Sequence, residues 1–126
     1  MNTVLHLFSA SQFKAAQLKD LLEVKEQIVL LNLNKMPVTD EDLATIAQFT
    51  NLRKLNLSFT DIKGSGLKSL AALKELKQLS LSGTGVNTAS LAALAPLSKL
   101  TELHIWTTPA QSENLTALQK QLPHTQ

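Results

Sequence analysis

The chain has no cysteine among its 126 residues. That single absence removes disulfides, thiolate zinc sites, iron–sulfur clusters, covalent haem attachment and cysteine nucleophiles. It leaves the compartment open, because reducing and oxidising spaces both tolerate Cys-free proteins. No stretch reaches the roughly 18 consecutive apolar residues that a membrane-spanning helix needs. The first residues, Met1 to Ser11, lack a basic region and carry too short an apolar run for a secretory signal. Charge of one sign is scarce as well. Twelve Lys/Arg are spread against ten Asp/Glu, giving a net charge of +2, and no basic face is concentrated enough to argue for nucleic acid. Aromatic residues are 4% of the chain, and Trp106 is the single tryptophan. What the chain does have is 44% apolar residues, enough for the core of one domain.

Those apolar residues return on a fixed period of 24. Ile28-Val29-Leu30-Leu31-Asn32-Leu33 is followed by Leu52-Arg53-Lys54-Leu55-Asn56-Leu57. Leu76-Lys77-Gln78-Leu79-Ser80-Leu81 and Leu100-Thr101-Glu102-Leu103-His104-Ile105 complete the series. A period of this length is the mark of a stacked solenoid, in which each repeat buries its apolar face against its neighbours. Within a repeat, Leu55-Asn56-Leu57 alternates like a strand with one face buried. Leu67, Leu70 and Leu73 are spaced like one face of a helical or 3₁₀ segment. In register, the columns are Leu31/Leu55/Leu79/Leu103 and Leu33/Leu57/Leu81/Ile105. Val38/Ile62/Val86/Ala110, Leu43/Leu67/Leu91/Leu115 and Ile46/Leu70/Leu94/Leu118 follow. Each filled slot contributes about 1.5–3 kcal/mol.

Four consecutive copies of [LI]-x-x-L-x-[LI], in repeats covering residues 28 to 123, make the chain resemble a leucine-rich repeat protein of a bacterial 24-residue subclass. The last repeat, from Leu103 to Leu122-Pro123, resembles the closing repeat of leucine-rich tails on bacterial envelope proteins that also carry a cytochrome c-like domain. No Cys-x-x-Cys-His occurs in this sequence, so the redox function of such a parent is absent from it. The resemblance would place the chain in the periplasm or envelope as part of that parent, and otherwise in the cytoplasm. One departure stands out. Where the family has Asn, this sequence has Met36, Thr60, Thr84 and Thr108. A Thr hydroxyl can satisfy part of the turn that Asn would satisfy. Met36 cannot, so the first turn is expected to be satisfied differently or to be looser.

Residues 1–27 stand outside the repeat and read as an N-terminal cap, with repeats starting at 28, 52, 76 and 100 and running to 126. Ser11 is placed to cap a helix over about residues 12–23, preceded by a short strand through Val4-Leu5-His6-Leu7. Gly64-Ser65-Gly66 and Gly83-Thr84-Gly85 match no phosphate-loop spacing and read as turn glycines. Asp40-Glu41-Asp42 reads as the acidic start of a convex helix rather than a metal site.

In such a repeat the side chains between the buried strand leucines line the concave face. The expected columns are Leu30/Lys54/Gln78/Glu102, Asn32/Asn56/Ser80/His104 and Asn34/Ser58/Ser82/Trp106. Most members are small and polar. Glu102, His104 and Trp106 differ, and their alternation with Leu103 and Ile105 projects them together. Tryptophan is a favoured interface anchor. The competing reading is that Trp106 folds over the open edge of the last repeat and shields it. Phe59 is a secondary binding candidate, more simply explained by packing beneath a turn. His104 with Glu102 lacks a nucleophile and an oxyanion site, Ser58, Ser80 and Ser82 have no base the sequence can place, and His6 and His124 lie near the chain ends.

The expectation is therefore an α/β, right-handed solenoid with a short parallel concave sheet of four or five strands and short convex helices. It is expected to be no enzyme, to carry no cofactor or metal, and to bind a protein partner or another domain of a parent protein. Glu102, His104 and Trp106 are the leading contact residues, with Lys54, Asn56 and Gln78 extending the patch. The alternative function is a structural spacer or terminal cap in a larger protein.

Overall fold

A computed structural model describes residues 3–6, 26 and 28–112. Five parallel strands form one sheet in sequence order: β1 (Thr3–His6), β2 (Ile28–Asn32), β3 (Lys54–Asn56), β4 (Gln78–Ser80) and β5 (Glu102–His104). Every strand pairs with the next in the chain, and each connection from β2 onward returns across the convex side and starts the following strand in the same direction. The register reproduces the sequence period: Leu31 pairs Leu55, Leu55 pairs Leu79 and Leu79 pairs Leu103. The N-terminal strand expected through Val4-Leu5-His6-Leu7 is present over Thr3–His6 and sets Leu5 beside Leu31, while Leu7 lies outside the described residues. The cap helix expected over residues 12–23 lies outside the described residues, as do Leu115 and Leu118.

The convex segments are short and tightly wound. Asp40–Asp42 is 3₁₀ and runs into α1 (Leu43–Ile46); Leu67–Ala72 is 3₁₀ throughout; α2 (Thr88–Leu91) passes into 3₁₀ at Ala92–Leu94; Pro109–Ser112 is 3₁₀. Runs this brief are where i→i+3 bonding is tolerated, and three residues per turn matches the Leu67/Leu70/Leu73 spacing. The expected columns are buried: Val38, Ile62, Val86 and Ala110 are at most 1% exposed, and Leu43, Leu67, Leu91, Ile46, Leu70 and Leu94 are fully covered. Phe49 adds a column that the leucine pattern hides. It is fully buried in register with Leu73 and Leu97, so one ring replaces a leucine in the first repeat's core.

The turn leaving each strand is where the repeats differ in chemistry but agree in shape. Lys35, Phe59, Gly83 and Thr107, spaced by the period, all have positive φ between 54° and 73°. Only glycine adopts this region without steric cost, so the repeat geometry imposes it on three residues that disfavour it. Next to it, the Thr60, Thr84 and Thr108 hydroxyls donate to the carbonyls of Leu57, Leu81 and Ile105 at 2.6–2.7 Å. Met36 takes a different route. Its side chain is 2% exposed and its backbone N–H donates to the Leu33 carbonyl at 3.1 Å. The first turn thus replaces a side-chain hydrogen bond with apolar burial and is not loose.

Successive convex segments are also tied through Asp40. Its carboxylate accepts the backbone N–H groups of Lys63, Gly64 and Gly66 at 2.8–2.9 Å. Partial burial pushes its pKa up, but the hydrogen bonds from Gly66, Lys63 and Gly64 outweigh that and hold it below the ordinary aspartate value. Asp42 serves locally, accepting the Thr39 N–H at 2.9 Å in a capping box. Asp40 and Asp42 are thus spent on backbone donors.

Candidate functional site

A shallow groove of about 250 Å³ lies over the sheet, and its floor is set by the alternation of the strands. Leu31, Leu55 and Leu79 turn into the core, so Lys54, Asn56, Gln78 and Ser80 turn the other way and line it, with Leu30, Asn32 and His104. Four of the residues singled out from the sequence, Lys54, Asn56, Gln78 and His104, therefore share one concavity. Glu102 joins them through His104, with Nε2 and Oε2 at 3.6 Å and both side chains half exposed.

The third expected column does not line this face. Ser58 and Ser82 are only 7% and 8% exposed, and their hydroxyls are occupied. Ser58 Oγ shares a hydrogen bond with Ser80 Oγ, and Ser82 Oγ accepts the Trp106 N–H at 3.1 Å. The chain bends into the positive-φ turn at the next residue, and that bend draws the serines inward. Trp106, in the same register, is 65% exposed. Leu103 and Ile105 stay only partly buried on the last described strand.

Phe59 is the residue that sequence reasoning underrates. It is 55% exposed rather than tucked beneath a turn, and its ring lies against Gly83, where a Cβ atom would collide with it. The Gly83 N–H donates to the Trp106 carbonyl at 2.8 Å. Gly83 thus stands between Phe59 and Trp106, the two large apolar side chains exposed among the described residues. The signal is present in the 24-residue register, which aligns Phe59 with a glycine and so with a position that needs positive φ.

The site has little to offer catalysis. His104 and Glu102 stand on an open surface that water reaches freely. Ser80 is already bonded to Ser58. Among the described residues, no group of three His, Asp or Glu side chains is placed to hold a metal ion, and no helix is long and apolar enough to cross a membrane.

Parallel strands in sequence order, leucine columns on a 24-residue period and short convex 3₁₀ segments define a leucine-rich repeat solenoid. Solved structures agree. An internalin C2 from Listeria monocytogenes superimposes with a TM-score of 0.66 at 22% identity, over 83% of this chain and 42% of its own. An internalin (inlF) from the same species gives 0.58 at 24% identity, over 71% and 25%. The Chaetomium Mex67:Mtr2 structure gives 0.57 at 19%, over 95% and 74%. The chain spans less than half the length of the internalin C2 chain it matches. No protein-family model and no curated protein sequence matches.

Proposed function

We propose that the groove is a recognition surface for a protein partner or for another domain of a parent protein. The observation that carries this is a set of polar side chains presented by paired strands on the same sheet that leads into two exposed aromatic residues. Lys54, Asn56, Gln78 and His104 are borne on paired parallel strands, and Phe59 and Trp106 are exposed just past the C-terminal ends of β3 and β5. Rigid strands present these groups with little ordering cost on binding, and exposed aromatics are the side chains that most often anchor an interface. Glu102, His104 and Trp106 form the contact corner at β5, extended by Lys54, Asn56 and Gln78. Chemistry on a bound molecule is not part of the reading, since Ser80, although paired with His104 in the sheet register, shares its hydroxyl with Ser58. A cytochrome c-like parent rests on the sequence resemblance alone.

The test is a lysate pull-down with the wild-type chain beside a Glu102→Ala, His104→Ala, Trp106→Ala variant whose circular dichroism and melting match wild type. A protein retained by the wild type and lost by the variant is the expected outcome. Equal and empty captures would sink the recognition reading and leave the repeats as a spacer or cap.

A further inference from the structure

We infer that the β2–β3 half of the groove receives a carboxylate, carried on an extended segment of a protein partner. This rests on the groove being a recognition surface and adds the chemistry of what it recognises. The starting point is the orientation of two amides. Asn32 Oδ1 accepts the Asn34 N–H at 3.1 Å, and Asn56 Oδ1 accepts the Ser58 N–H at 2.9 Å. A backbone N–H only donates, so each amide must turn its oxygen into the turn and its NH₂ group away from it. No hydrogen bond from either Nδ2 is found among the described residues, and both asparagines line the groove, so these donors are available to it.

Lys54 stands two residues before Asn56 on the same face of β3, directly across from Leu30. It has no acidic partner among the described residues, where the ion pairs are Lys99 with Glu75 and His104 with Glu102. This half of the groove floor therefore offers side-chain donors, two NH₂ groups and an ammonium, while its amide oxygens are already spent. The β5 side differs, because Glu102 supplies negative charge there and already holds His104. A carboxylate only accepts, and hydrogen bonds to a charged group are the stronger kind. A cationic group over Lys54 would meet like charge, and the acceptor beside it, the amide of Gln78 across the strand pair, is neutral. A small free anion would leave most of its surface in water, since the groove is open and shallow. A polypeptide can span the floor and also cover Phe59 and Trp106 beyond it.

The experiment is selection of short random displayed peptides on the full chain. A synthetic pair built from the enriched sequence follows, one carrying Asp/Glu and the other Asn/Gln at the same positions, measured by calorimetry. The expected result is enrichment of acidic sequences, with the amide counterpart and the Lys54→Gln variant each weaker by about tenfold or more. Asn56→Asp retains an oxygen for the Ser58 N–H but replaces the outward donor with negative charge, so it should abolish binding while melting like wild type. Undiminished binding to Asn56→Asp would overturn the inference. Enriched neutral or basic peptides that are lost by the Glu102/His104/Trp106 triple variant would overturn the carboxylate and leave the recognition surface standing. No enrichment at all would overturn both.

Discussion

Leu79 and Leu103 hold the same place in successive repeats, and β4 and β5 pair them directly. Leu79 is fully buried, whereas Leu103 is only partly buried. The next column repeats the contrast, with Leu81 fully covered and Ile105 partly open. Leu79 and Leu103 are the same residue at the same place in the repeat, so residue type at that position does not explain the difference. Position in the stack does. β4 has a strand on each side, and β5 ends the described sheet. In a solenoid, a leucine's contribution is a property of its neighbours as much as of itself.

The largest expected effect tests this directly. Leu79→Ala should destabilise the chain by about 2–5 kcal/mol, the range for a leucine deleted from a packed interior. Leu103→Ala should cost about 1–2 kcal/mol, because less of its surface leaves water on folding. Urea denaturation of both variants reads the difference, and equal losses would break the comparison.

The turns sharpen it at a smaller scale. Gly83 sits at φ 73° against the ring of Phe59 from the preceding repeat, so a methyl group there meets both backbone strain and a neighbour. Gly83→Ala should cost roughly 2–3 kcal/mol, combining the left-handed penalty with overpacking. In a Phe59→Ala background the same change should cost only the backbone part, roughly 1–2 kcal/mol. A double-mutant cycle measures the gap, and full additivity would show that the ring plays no part.

The smallest effect belongs to the seam at Asp40. Folding lowers its pKa below the ordinary 3.8. The stability it contributes is therefore complete above that value and is lost as pH falls below it, through the folded pKa. Melting temperature should fall across this acid window in the wild type, with a shallower slope in Asp40→Asn. Parallel slopes would mean that the bonds to Lys63, Gly64 and Gly66 contribute nothing to stability.

Much of the fold and part of the site are legible in the amino-acid order. The leucine columns, the parallel strands and the shared face of Lys54, Asn56, Gln78 and His104 follow from one 24-residue period and strand alternation. Alternation misplaces Ser58 and Ser82 because it stops at the strand end, where the chain enters a turn and reverses its φ. Phe59, a secondary candidate, is expected beneath a turn because nothing in a lone phenylalanine announces a left-handed backbone.

A repeating apolar pattern can be buried in only one register, so the order of residues alone dictates which side chains stack. It dictates equally that the surface between them is polar and free of cysteine. Where each polar group points is settled only when the repeats pack. Lys35, Phe59, Gly83 and Thr107 share one backbone shape despite four different side chains. Stacking imposes that shape, because each turn must meet the backbone donors and acceptors of the next. From it follow the inward serines, the outward donors of Asn32 and Asn56, and the exposed rings of Phe59 and Trp106. Hydrogen-bond direction is set by the neighbouring strand and turn, and no residue carries that information alone.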